Sequence, residues 1–221
     1  MKYSSKITPI GAVLLLVAAN SQADGLYAGV DGGGAFQQDT TIKNSTGFGG
    51  VPGHVKFNTG FRAGLDMGYE FNKYFSAEFD GSVIYNDINT IGTQPLSMTS
   101  PGGKAHLGEA PLLINGIFTW PLGRFKPYVG VGIGPAIGFF DSYNVVGSYL
   151  PGQNPSYKDS DLTFAYQLQA GFKFSVTEHI DLGVGYKFVG TTEHEWTDNS
   201  VTLKTDGTMT HSILGTFTYR F

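Results

Sequence analysis

The sequence predicts an all-β chain folded as one eight-stranded antiparallel up-and-down β-barrel that crosses a membrane. Three observations predict it. Segment after segment alternates apolar and polar residues with a period of two. Short and long connections between these segments alternate strictly, and aromatic residues gather at the same end of every second segment, on its apolar side.

The first segment, about 25–36, is readable but less regular than those that follow. The second, 57–71, is the clearest: Phe57, Phe61, Ala63, Leu65, Met67, Tyr69 and Phe71 share one face. Asn58, Gly60, Arg62, Gly64, Asp66, Gly68 and Glu70 share the other, a division that a helix would scatter. In 75–86, Phe75, Ala77, Phe79, Val83 and Tyr85 oppose Glu78, Asp80 and Ser82. Segments at about 107–120 and 126–139 are again less clean. In 162–175, Leu162, Phe164, Tyr166, Leu168, Ala170, Phe172 and Phe174 oppose Gln167, Gln169 and Lys173. In 180–189, Ile180, Leu182, Val184, Tyr186 and Phe188 oppose Asp181, Gly183, Gly185 and Lys187. In the last segment, Ile213, Phe217, Tyr219 and Phe221 oppose Ser212, Thr216, Thr218 and Arg220.

Asn72-Lys73, Pro121–Phe125 and Val176-Thr177-Glu178 read as tight turns. The connections at about 37–56, 87–106, 140–161 and 190–207 are long and rich in Gly, Ser, Thr, Asn and Pro. Short periplasmic turns and long extracellular loops are the asymmetry of a bacterial outer-membrane barrel. That assignment puts both mature termini on the periplasmic side and requires an even strand count. Tyr69/Phe71, Phe118/Trp120, Phe172/Phe174 and Tyr219/Phe221 then form a girdle at one membrane interface. The alternative is a soluble barrel with its apolar face turned inward around a ligand. So many aromatic side chains would overfill an eight-stranded interior.

Residues 1–23 read as a secretory signal, with Lys2 and Lys6 before an apolar run over 10–19 and small residues Ser21 and Ala23 at the cleavage positions. Cleavage is expected after Ala23, leaving a mature barrel domain over 24–221. The apolar run is shorter than the roughly 20 residues of a spanning helix. Loss of Lys2 and Lys6 takes the formal charge from −4, with 14 basic and 18 acidic residues, to −6. An acidic balance argues against nucleic acid or anionic lipid as the main partner. The sequence has no cysteine, hence no disulfide or thiolate chemistry. Its 32 Gly, 17 Phe and 12 Tyr, with charged residues at only 14%, suit many short strands and turns.

The carboxyl-terminal stretch Gly215–Phe221, with Phe217, Tyr219 and Phe221 alternating, resembles an outer-membrane assembly signal. Glu109–Leu113 and Lys126–Gly134 resemble the bacterial outer-membrane β-barrel domain family, which includes OmpA/OmpX-type small barrels and related surface antigens. The resemblance covers essentially all of 24–221. It implies the fold, an integral outer-membrane location, contact with outer-membrane lipid and engagement of the barrel assembly machinery during biogenesis. It leaves function open, because the family hosts adhesins, structural anchors and small pores. Full-length OmpA-like proteins carry a peptidoglycan-binding domain after the barrel, for which the sequence has no room after Phe221.

No catalytic, cofactor or metal site is expected. Gly130, Gly132, Gly134 and Gly138 half-imitate a dinucleotide fingerprint, but the spacing is wrong and no helix follows. Alternate glycines on an inward face, leaving room for long polar side chains opposite, explain them better. His54, His106, His179, His194 and His211 are scattered, and Glu193-His194-Glu195 has no second cluster to complete a metal site. In barrel-borne lipid A deacylases a His and a Ser stand two apart on one outward face. Here His211 and Ser212 are adjacent and so face opposite ways.

The informative constellation is the inward face. Asp31, Arg62, Asp66, Glu70, Glu78, Asp80, Glu109, Lys173, Asp181, Lys187 and Arg220 all point into the lumen if the alternation holds. Charges in so narrow a space must pair or hold water, because an unpaired buried ion costs several kcal/mol. The expectation is a salt-bridged, plugged interior and a monomeric, non-enzymatic protein. Its role would be structural or a surface interaction of adhesin or antigen type, exercised through loops that carry Phe48, Tyr143, Tyr149, Tyr157 and Trp196 and meet an extracellular ligand. The alternative is a small porin-like channel or a carrier of small solutes.

Overall fold

The computed structural model describes residues 25–46, 54–92, 94–95, 104–143, 156–198 and 201–221. Its strands are β1 (Leu26–Gln37), β2 (Thr40–Thr46), β3 (His54–Phe57), β4 (Gly60–Glu70), β5 (Phe75–Gly92), β6 (Gln94–Pro95), β7 (Lys104–Thr119), β8 (Phe125–Tyr143), β9 (Ser156–Ser175), β10 (Ile180–Thr191), β11 (His194–Asp198), β12 (Val201–Thr205) and β13 (Met209–Arg220). Eight of them close a barrel in the order β1-β4-β5-β7-β8-β9-β10-β13, and β13 returns to pair with β1. Every neighbouring pair is antiparallel; Gly32 of β1, for example, faces Ala63 on one side and Gly215 on the other. Closure leaves no free edge in the barrel, so every backbone group of the wall can be satisfied by a neighbour.

Three tight turns join β4 to β5, β7 to β8 and β9 to β10 at one end of the barrel, hereafter the turn end. Local polar chemistry sets two of them. Asn72 Oδ1 accepts from the amides of Tyr74 (2.9 Å) and Phe75 (3.0 Å), and Thr177 Oγ1 accepts from those of His179 (3.2 Å) and Ile180 (3.0 Å). In the β7–β8 turn, Gly123 takes φ +67°, a left-handed backbone that favours glycine.

The wall is inside-out relative to a soluble domain. Leu162 (69%), Ile114 (68%) and Val131 (62%) are exposed on the outer face, whereas Arg62 (1%) and Asp80 (0%) are buried. An outer surface of exposed Leu, Ile, Val and Phe needs a hydrocarbon neighbour. The soluble alternative fails on this distribution.

The loop end differs from the sequence expectation. Strands β5, β7, β8 and β9 run past the boundaries read from the alternation, to 18, 16, 19 and 20 residues. A tilted crossing needs only about 9–11 residues, so these strands project well beyond the bilayer. The connections read as loops at 37–56 and 190–207 also contain strands. β12 pairs with β11 and β2, β2 pairs with β3, and β3 continues along β5 above β4. These segments lie beyond the stretch of wall that faces hydrocarbon, so their sequences need no lipid-facing apolar stripe and no sustained period of two is written into them. The segment read as continuous over 57–71 is broken at Asn58–Thr59 between β3 and β4, where the register against β5 shifts at Lys56/Phe57. The register is the same on either side, His54 with Gly92 and Phe61 with Tyr85, so the local irregularity leaves the apolar period undisturbed.

Candidate functional site: the closed polar lumen

Inward positions of the wall come from every second residue, and the eight strands stack them in tiers. The central tier is an ion network. Lys187 Nζ on β10 donates to Asp31 Oδ2 on β1 (2.6 Å), Asp80 Oδ2 on β5 (2.8 Å) and Asp66 Oδ1 on β4 (3.2 Å). Arg62 Nη2 donates to Asp80 Oδ2 (2.7 Å) and Gln167 Oε1 (3.1 Å), and Arg62 Nε stands 3.8 Å from Asp31 Oδ1. Gln167 Nε2 donates to Asp80 Oδ2 and to Asn115 Oδ1, both at 3.1 Å. Six of the eight wall strands carry a charge or amide into this knot, which therefore fills the cross-section. The carboxylates of Asp31, Asp66 and Asp80 each bring an oxygen within 4.8 Å of the others, a grouping that could hold a metal ion. The Lys187 ammonium already sits among them as the cation.

Toward the turn end, Tyr27 Oη donates to Glu78 Oε2 (3.0 Å), and Gln169 Nε2 reaches Glu78 Oε1 (3.5 Å). Lys173 Nζ lies 5.2 Å and 5.4 Å from the ring centres of Tyr27 and Tyr128, within cation–π range. Asp181 accepts from Arg220 Nη2 (2.7 Å) and Ser175 Oγ (2.6 Å), with Lys126 Nζ 3.7 Å away. Between these groups and Lys187 lies a cavity of about 10 Å³, lined in part by Asp66, Glu78, Tyr128 and Lys173. That is room for about one water molecule.

Toward the loop end the interior turns apolar and then hydroxylic. Ala35, Ile84 and Val189 form one buried cluster, and Leu113, Ala136 and Ala165 another. Above them Glu109 accepts a short hydrogen bond from Thr208 Oγ1, whose hydroxyl also meets Thr191 Oγ1 at 2.8 Å. Glycines on the inner face make room for these side chains. A Cβ at Gly132 would overlap Asn115, one at Gly68 would overlap the Tyr27 ring, and one at Gly64 would sit 2.9 Å from the Asp31 carboxylate. Gly130 and Gly132 of β8 are thus spacers opposite the polar side chains of Gln169 and Asn115, while a Cβ at Gly134 would strike the Leu112 carbonyl of β7.

Of the inward residues read from the sequence, Asp31, Arg62, Glu78, Asp80, Glu109, Asp181 and Lys187 are buried, and Asp66, Glu70, Lys173 and Arg220 are half-buried toward the turn end. Asp31, Arg62, Asp66, Asp80 and Lys187 meet in one network, and Asp181 and Arg220 meet in a second. Glu109 stands apart from both, in the hydroxyl tier. Phe217, Tyr219 and Phe221 line the outer face of the turn end, where Tyr219 and Phe221 rings pack edge to face at 5.2 Å. Ala23 lies outside the described residues, as do Phe48 and Tyr149 and the side chains of Tyr143, Tyr157 and Trp196. His211 contacts Tyr186 Oη (2.6 Å) on the outer face, while Ser212 is fully buried within.

The sequence reading missed Tyr27 and Tyr128 as lumen residues. It counted tyrosine with the apolar set, although a phenol that points inward next to Glu78 or Lys173 is a polar group. The signal available was the period itself: Tyr27 shares parity with Asp31, and Tyr128 with the glycines of β8.

The arrangement can hold a wall rigid, and no catalytic dyad is assembled on the lumen face among the described residues. No curated protein matches the sequence. Among solved structures, the chain is similar in fold to the outer membrane protein OprG from Pseudomonas aeruginosa (15% identity, 90% of this chain and 97% of that chain, TM-score 0.55). It is similarly related to the outer membrane protein AlkL in lipid bilayers (15%, 100% and 96%, TM-score 0.56) and to Neisserial surface protein A (15%, 90% and 98%, TM-score 0.51). At such identity the likeness speaks to the barrel alone. The family model for the outer membrane protein beta-barrel domain matches residues 10–221. With the inside-out wall already established, the chain belongs to the outer membrane protein beta-barrel domain family and is an integral protein of the outer membrane.

Proposed function

We propose that the protein is a non-enzymatic outer-membrane barrel with a structural or surface-interaction role, adhesin- or antigen-like, exercised at its loop end. The observation that carries this reading is the central ion network, in which Arg62 and Lys187 bridge three carboxylates across the whole lumen. A barrel plugged by its own side chains offers no open path, so the surface left for function is outside it. At the loop end, the strands that outrun the bilayer and the sheet β11-β12-β2-β3 built beside β5 raise a platform into the aqueous phase. In this reading the three tight turns and both termini are periplasmic, the loop end is extracellular, and the barrel works as a monomer that the assembly machinery has inserted.

The test is to replace 38–58, 93–103, 144–155 and 192–207 by short turns and to display parent and trimmed barrel on cells. The trimmed protein is expected to remain inserted and heat-modifiable but to lose adhesion to an immobilised extracellular-matrix extract. Adhesion that survives trimming overturns the reading. The second reading, a narrow cation path, is favoured by the excess of carboxylates over cations among the inward residues Asp31, Arg62, Asp66, Glu70, Glu78, Asp80, Glu109, Lys173, Asp181, Lys187 and Arg220. It requires the Lys187 bridge to open.

A further inference from the structure

The outer face of β7 has a gap. Its outward residues run Leu112, Ile114, Gly116 and Phe118, and a Cβ at Gly116 would meet nothing within 4 Å. Gly116 pairs with Ala77 of β5 and Val131 of β8, so the small residues Gly116 and Ala77 floor a groove. The groove encloses about 550 Å³ and is walled by Phe71, Phe75, Phe118 and Val129.

We propose that this groove binds one acyl chain of an anionic phospholipid, with the phosphate held at Lys73 and Arg124. Two features select that occupant. The groove is continuous with the lipid-facing wall, where an empty notch forfeits dispersion contacts that a hydrocarbon chain restores. The charge at its mouth is also one-sided. Of the two turns that border it, 71–74 carries Lys73, 120–124 carries Arg124, and neither carries an acid; the third turn, 176–179, holds Glu178. Lys73 Nζ lies 5.0 Å from the Tyr74 ring centre, and Tyr74 stacks on Phe118 at 6.2 Å, so this cation stands one ring away from the groove wall. Basic groups at the membrane interface attract anionic headgroups. The net acidity of the chain does not oppose this, because the field is local to the two turns.

Trp120 reports on the site, since its ring meets Phe118 at 4.5 Å. With Trp196→Phe it becomes the sole tryptophan. The full barrel is reconstituted in phosphatidylcholine vesicles doped with dibrominated phosphatidylglycerol or, at the same mole fraction, dibrominated phosphatidylcholine. Quenching should report a preference for the glycerol lipid on the order of fivefold. Lys73→Gln with Arg124→Gln should bring the ratio to one, and Gly116→Leu should reduce both the ratio and the quenching by filling the floor. Should Gly116→Leu fail to insert, Ala77→Leu carries the same test. Equal quenching by the two lipids in the parent overturns the proposal. So does a ratio unmoved by the double glutamine variant, or one unmoved by filling the groove. A parent that cross-links as a dimer, with a Gly116→Leu variant that does not, gives the groove to a second copy instead.

Discussion

The membrane wall and the loop-end extension are continuous ladders of the same antiparallel pairing. In β5 burial still alternates past the wall at Asn86, Ile88 and Thr90, yet only the wall alternates apolar residues outside with polar ones inside. In β9 the contrast falls within one strand: Leu162, Phe164 and Leu168 are exposed outward, while Thr163, Ala165 and Gln167 are buried inward. Residues 156–161 of the same strand pair just as regularly with β8 but read Ser-Tyr-Lys-Asp-Ser-Asp. Pairing, then, does not write the pattern; the difference between the media on the two faces does. Where hydrocarbon lies outside and a packed polar lumen inside, each position is constrained. Where water lies outside, the ladder needs only backbone groups.

This contrast can be broken most severely from inside the wall. Lys187→Met leaves the buried Asp31 and Asp80 and the half-buried Asp66 with Arg62 as the sole cation in the network, and should cost about 3–5 kcal/mol. Urea unfolding from lipid vesicles would show it; a loss below about 1 kcal/mol would mean that water already solvates the knot. From outside, Leu168→Arg near the middle of the lipid-facing stretch of β9 should cost about 2–4 kcal/mol in the same assay. Gly132→Ala should be milder, about 1–3 kcal/mol, since Asn115 must leave the space it occupies and release Gln167. At the loop end, Lys56→Ala on the exposed face of β3 should change stability by no more than about 0.5 kcal/mol. Equal costs at Lys56 and Leu168 would erase the distinction between the two regions.

The same physics explains what the sequence disclosed. Arg62, Asp66 and Asp80 were legible because each stands between lipid-facing residues one position away, and a charge at that parity has only the lumen to enter. β7 was harder to read because Leu112, Leu113 and Ile114 are consecutive, with Leu113 buried inside and its neighbours exposed outside. Its inner face belongs to the apolar tier, so the contrast between faces vanishes there. Tyr27 and Tyr128 were hidden by the double nature of a phenol. Strands β2, β3, β11 and β12 were invisible because their sequences carry no sustained alternation of apolar and polar residues. Which opposite charges pair was illegible too, since it depends on register across strands distant in sequence, such as Asp31 with Lys187.

The central claim is that the lumen is closed by its own ion network. Single-channel recording of the purified barrel in a planar bilayer tests it most directly, with Lys187→Met measured beside the parent. The parent is expected to show no resolvable current under a salt gradient. Steady, cation-selective steps from the parent would contradict closure and move function from the loop end back into the lumen.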